Sequence, residues 1–152
     1  MHSITKTIRF EAAHILSNYN GRCGNLHGHS YICNVTFTSK ALGLADDSNM
    51  IIDLNKVKDI ANEIIDPMDH AFLYNMNTTD PYEREVIEME RRWCKRMVGF
   101  QTRTTAEEMS KYILEAINQS LLAKGLYPEV MCSKVQLYET ATGCATYEVE
   151  EM

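Results

Sequence analysis

Within "CGNLHGHS", residues 23 to 30, a cysteine, two histidines and two glycines share eight positions. His27 and His29 stand at i and i+2, with Cys23 four residues ahead of the first. In a β-strand that spacing puts both rings on one face, roughly 6.6 Å apart along the axis. They can then converge on one ion, with a third imidazole supplied by a neighbouring strand. His14, which closes the segment "FEAAH", is the candidate. Three histidines with no fourth protein ligand are the donor set of a catalytic zinc that keeps an open position. Neutral ligands also leave the ion its full double charge as a Lewis acid. Gly28 leaves room between the pair for close backbone approach. A strand histidine is also commonly a hydrogen-bonded core or surface residue, so spacing alone leaves both readings open.

Other groups offer proton chemistry. A thiol beside a cation ionises more readily and can act as nucleophile or base, which would suit Cys23. The alternative is a small buried thiol. Asp69 and His70 are adjacent in "PMDHAFL". A turn at a helix end lets such a carboxylate orient the imidazole for proton transfer near neutral pH, although a structural role fits too. Glu139 ends an apolar row with Val135 and Leu137. A carboxylate there needs a partner if buried, and a ligand edge with two parallel N–H donors would provide one. Otherwise it points to water.

The elements that must carry these residues follow from periodicity. Ile4, Ile8, Phe10, Ala12 and His14 share a face if residues 3–14 form a strand. Residues 26–38 are rich in β-branched and aromatic types and group His27, His29, Tyr31, Cys33, Val35 and Phe37. Asp53 is a fitting N-cap for a helix that Pro67 should stop near Ile65 or Asp66. Thr105 and Glu108 form a capping box ahead of the stripe Ala106, Met109, Ile113, Ala116, Ile117 and Leu121, and Gly125 is a C-terminal stop. Two strands, residues 134–139 and about 144–149, close the chain. The charged stretch "YEREVIEMERRWCKRM" reads as a short helix or a solvated excursion, and "RMVGFQ" after it could add a strand. The expectation is one α+β domain over 1–152 with a variable excursion at about 75–98. Its core would be a four-stranded antiparallel sheet with two helices on one face.

Composition narrows the class. With 45% hydrophobic and 24% charged residues in 152, the chain has the make-up of a soluble globular domain. A net charge of −6 argues against a general nucleic-acid binder. The chain lacks an apolar run for a signal peptide or membrane span. Five irregularly spaced cysteines point away from a disulfide framework and towards a reducing cytoplasm. There is no Gly-x-Gly-x-x-Gly segment for a dinucleotide cofactor.

Taken in order, "FEAAH", "CGNLHGH", "DLNK", "MDHAFL", "TTAEE" and "YETATGCATY" resemble the 6-pyruvoyl-tetrahydropterin synthase superfamily over nearly the whole chain. The short Cys-x-x-x-His-Gly-His spacing is most similar to its 6-carboxy-5,6,7,8-tetrahydropterin synthase branch, in the queuosine (7-deazaguanine) pathway. The resemblance implies zinc held by His14, His27 and His29, a catalytic thiol at Cys23, and a proton relay completed by Asp69 and His70. It also implies that Glu139 grips the amino-pyrimidine edge of a pterin and that Thr105 helps form the pterin pocket. The implied reaction is the conversion of 7,8-dihydroneopterin triphosphate, with loss of triphosphate and of two carbons as acetaldehyde. Relatives share the tunnelling fold, in which trimers close their sheets into a barrel and two trimers stack as a hexamer. Two departures stand out: Thr104 replaces a frequent proline and Glu108 a frequent asparagine. Rival readings are the pyruvoyl-forming reaction, a non-catalytic zinc-stabilised oligomer that binds pterin, and a dihydroneopterin aldolase, the last weakened by Cys23.

Overall fold

The computed structural model describes residues 1–43 and 49–150. Two long strands, β1 (His2–His14) and β2 (His27–Ser39), form an unbroken antiparallel ladder from His2↔Ser39 to His14↔His27. Helix α1 (Leu54–Ile65) begins where the Asp53 carboxylate accepts from the Asn55 N–H at 2.7 Å. Then come β3 (Ala71–Asn75), α2 (Pro81–Arg92), β4 (Met97–Phe100), α3 (Ala106–Ala123), β5 (Met131–Thr140) and β6 (Gly143–Glu148).

The sheet has six strands in the order β4-β3-β1-β2-β5-β6, and it is mixed. The expected four antiparallel strands, β1, β2, β5 and β6, are present and contiguous. What the four-stranded antiparallel expectation leaves out is β3, which pairs in parallel with β1, and β4, which pairs in parallel with β3 and forms where "RMVGFQ" offered a further strand. A parallel partner needs a crossover connection, and the charged stretch supplies it as α2. Among the described residues there are therefore three α-helices, not two. Alternation along β3 shows where they lie. Ala71 and Leu73 join the main core, which α1 and α3 cover with Val57, Ile60, Met109, Ile113 and Ile117. Phe72 and Tyr74 turn to the other face and meet Val86 and Ile87 of α2.

The Thr105 hydroxyl accepts from the Glu108 N–H at 3.1 Å and caps α3. Thr105→Ala is expected to cost about 1 kcal/mol and to lower the melting temperature by about 2–4 °C, read by thermal unfolding. Among the described residues, no helix is long and apolar enough to cross a membrane.

Candidate active site

Register builds the site. His14 lies directly opposite His27 at the end of the β1–β2 ladder, and Ala12 lies opposite His29. Period two then gathers all three rings on one face, an opposed pair plus the next inward position on β2. Ring centroids are 4.6 Å apart for His14–His27, 5.2 Å for His14–His29 and 4.9 Å for His27–His29. One nitrogen from each lies within 4.8 Å of the others, close enough for the three to hold one metal ion. A Cβ at Gly28 would sit 3.1 Å from the Ala12 carbonyl oxygen, so the residue between the two histidines is kept small by the neighbouring strand.

The hydrogen bonds fix which nitrogen is offered. The Nδ1 of His14 bonds the Thr104 carbonyl at 2.7 Å and lies 3.2 Å from the Thr104 hydroxyl. The Nδ1 of His27 bonds the Asn25 carbonyl at 2.6 Å. A carbonyl only accepts, so each Nδ1 carries the proton and each Nε2 presents a lone pair. Both Nε2 atoms are buried without a hydrogen-bond partner. Buried polar atoms rarely go unpaired, and an outer carbonyl that sets the tautomer is the usual support for a metal-binding imidazole. The donor set therefore fits zinc. Thr104 and Asn25 carry no sequence signal for this task, because they act mainly through main-chain carbonyls.

Burial pulls the His14 pKa from 6.5 to about 4, and the neighbouring His27 and His29 push the same way. His14 is thus neutral and ready to ligate at any physiological pH. In the metal-free chain the unfolded state binds the extra proton between pH 6.5 and 4. Stability from this group is complete above pH 6.5 and is lost as pH falls through about 4, a swing of about 3 kcal/mol. Urea titrations of the metal-free protein at pH 7 and 4 should show that loss, and His14→Gln should remove it.

Glu139 stands against the trio, with Oε1 4.0 Å from His14 Nε2 and its side chain 30% exposed. Burial raises its pKa, Glu107 adds to the rise, and His29 and His27 oppose it. It lies beside a break in the β5–β6 register between Tyr138 and Thr140. The buried Tyr31 hydroxyl has no hydrogen-bond partner, and its ring lies 5.4 Å from that of His29. Sequence reasoning placed Tyr31 on the right face but gave it no role.

Asp69 and His70 act as a pair. His70 adopts a left-handed backbone, φ +58°, which turns its ring back so that Nδ1 lies 3.0 Å from Asp69 Oδ1. The Glu11 N–H donates to the same carboxylate at 2.8 Å and is the main cause of its lowered pKa. Asp69 is thus an ionised acceptor, the proton sits on Nδ1, and His70 Nε2 is left free in solvent-accessible space. His70 lines a cavity of about 620 Å³ with Glu11, Gly28, Ser30 and His29. Glu11 and Ser30 project from the opposite sheet face to His14 and His27, and of the trio His29 alone lines this cavity. Cys23 does not line this cavity. It sits on a single 3₁₀ turn, Arg22–Gly24, in the β1–β2 connection, and its thiol is exposed. Cys33 and Cys132 contrast with it: burial pushes both thiols up to about 12, so they are inert.

An α+β chain with three strand-borne imidazoles placed to hold one metal ion, and a separate oriented Asp–His pair, carries groups suited to metal binding and proton exchange. Comparison with known proteins gives the group. The 6-pyruvoyl tetrahydropterin synthase family profile matches residues 3–150, and the chain belongs to that family. It is 31% identical to the 6-carboxy-5,6,7,8-tetrahydropterin synthase of Haemophilus influenzae, covering 97% of this chain and 99% of that one. It is 32% identical to the enzyme of the same name from Aquifex aeolicus, covering 97% and 98%. In fold it is similar to the 6-pyruvoyl tetrahydropterin synthase of Plasmodium vivax, with a TM-score of 0.70 at 16% identity over 99% of both chains.

Proposed function

We propose that this protein converts 7,8-dihydroneopterin triphosphate and one water into 6-carboxy-5,6,7,8-tetrahydropterin, with release of acetaldehyde and triphosphate. The observation that carries the reading is the pair of orphaned Nε2 atoms on His14 and His27, beside His29. It occurs in a chain whose full-length relatives are named for that product. Zinc held by His14, His27 and His29 would supply Lewis-acid stabilisation of charge developing on oxygen.

The chain's own groups do the rest. Cys23 takes a proton from the substrate side chain, and His70, steadied by ionised Asp69, exchanges protons on the other side of the reacting carbons. One group must accept while another donates, so their separate placement suits the task. Glu139 binds the amino-pyrimidine edge of the pterin. Its raised pKa is consistent with a carboxylate that meets its N–H partners only when ligand arrives. Thr105, capping α3 next to Thr104, contributes to the pocket wall. Glu139→Gln exchanges one acceptor for a donor and is expected to raise KM about 10- to 100-fold, the worth of a charged hydrogen bond, in steady-state kinetics.

The oligomer we infer is a hexamer of two stacked trimers, with pterin sites between subunits. Among the described residues, the outer strands β4 and β6 each have one edge with no strand paired to it, the kind of edge that adds a further strand. A site shared between copies would also bring His70 of one subunit to the trio of another.

The test is product identification. Zinc-loaded protein given 7,8-dihydroneopterin triphosphate should yield the carboxypterin by mass, together with trapped acetaldehyde. Pyruvoylpterin without acetaldehyde would assign the other branch. Tight pterin binding with no turnover would leave a zinc-stabilised binding protein.

A further inference from the structure

We propose that the first turn of α2 positions the Cys23-bearing turn, with Asp80 and Glu83 as its two arms. The inference rests on the reading of Cys23 as the catalytic thiol, and it gives a task to residues outside every motif that carries the family resemblance.

Asp80 uses its two carboxylate oxygens on different parts of the chain. Oδ1 accepts from the Tyr82 N–H at 3.0 Å and caps α2. Oδ2 accepts from the Asn18 N–H at 2.9 Å, in the connection that leads to Cys23. Asn18 has a φ of +56°, and its side-chain amide donates to the Thr79 hydroxyl at 2.9 Å. The second arm lies one residue earlier. Buried Ser17 donates to the fully buried Glu83 through a short hydrogen bond. The other oxygen of Glu83 accepts from the Asn75 N–H at 3.3 Å, and the Asn75 amide donates to Ser17 Oγ at 3.2 Å. Beyond Cys23, the Leu26 N–H donates to the Tyr82 hydroxyl at 3.3 Å.

One helical turn thus holds the connection on both sides of the thiol. Inside it, the Leu16 N–H donates to the Cys23 carbonyl at 2.9 Å. A buried carboxylate is costly unless its oxygens are satisfied. Glu83 therefore permits few arrangements of the segment bearing Ser17, since others leave it unpaired. An apolar residue at 83 would fill space without imposing that choice. The charged stretch between β3 and β4 is, in this view, the brace of the catalytic loop.

Asp80→Asn separates the brace from the helix. The amide can keep the Oδ1 cap while turning an NH₂ towards the Asn18 N–H, which cuts the tie to the loop alone. Ser17→Ala cuts the other arm. Zinc-loaded full-length variants are assayed for kcat and KM with 7,8-dihydroneopterin triphosphate. Iodoacetamide alkylation of Cys23 is followed by peptide mass, with exposed Cys94 and Cys144 as internal references. Each variant should lower kcat at least tenfold with KM within twofold. It should also change the Cys23 alkylation rate at least threefold relative to the two references. A kcat within twofold of wild type and an unchanged alkylation ratio would overturn the brace. So would losses that move all three cysteines and the melting temperature together, since those mark general loosening. Cys23→Ala is run in parallel. If it turns over at the wild-type rate, the catalytic reading of the thiol fails, while the alkylation ratio still decides whether Asp80 and Ser17 hold the loop.

Discussion

Cys23→Ala is expected to lower kcat by about 10²- to 10⁴-fold, the usual worth of a positioned acid–base group, while the protein stays folded and keeps its zinc. Both halves follow from where the residue sits. Cys23 lies on an exposed 3₁₀ turn that has no buried residues. Truncating it therefore leaves no core cavity, and the stability change should stay within about 0.5 kcal/mol. It is also outside the trio whose nitrogens lie within 4.8 Å of one another, so metal content should not fall. A large loss of turnover at constant stability and constant zinc can then only report chemistry. Cys23→Ser sharpens the result. A hydroxyl of similar size is a far poorer proton acceptor near neutral pH, so serine should rescue little. Acetaldehyde release in single-turnover mixing, with zinc measured on the same samples, is the assay. Turnover within twofold of wild type in the alanine variant would remove the thiol from the mechanism.

Legibility followed signal type. The two long strands and helices α1 and α3 were readable because each repeats an apolar period over ten or more residues. Both N-caps, Asp53 and Thr105, lie where their side chains accept from the first turn. The imidazole trio was half readable. Period two sets His27 beside His29, but spacing says nothing about which residue of β1 lies across from them. Face matching makes His14 the candidate, and the ladder, with His14 opposite His27, fixes it as the third ring. The least legible stretch was residues 75–103, together with β3 just before it. β3 and β4 are short, and parallel strands pair across a crossover that leaves no local mark. Helix α2, by its chemistry, kept both readings of the charged run open, short helix or solvated excursion. It buries Val86 and Ile87 but also Glu83, and a buried glutamate in a charged run looks like surface. The carbonyls of Thr104 and Asn25 were beyond reach for a simpler reason: a main-chain oxygen has no sequence.

His29→Ala is expected to abolish turnover by emptying the metal site without unfolding the domain. With one of three ligands gone, zinc affinity should fall by more than about 100-fold, since loss of an outer supporting partner alone can cost 10- to 100-fold. Zinc content after dialysis should drop from about one ion per chain to a small fraction. The fold should survive, because the trio sits at the end of the β1–β2 ladder while the main core lies along β2, β5, α1 and α3. His29 is the ring to remove. His14 is only 2% exposed, so its loss would also open a cavity, whereas His29 is half-buried. Thermal unfolding with and without a chelator separates metal from packing. Wild-type protein should gain stability from zinc as mass action dictates, about 4 kcal/mol at a thousandfold excess over Kd, and His29→Ala should gain almost none. Metal-free wild type and His29→Ala should then melt within a few degrees of each other. If instead His29→Ala keeps a full equivalent of zinc and wild-type turnover, the three imidazoles are not the metal site, and the proposed reaction loses its Lewis acid.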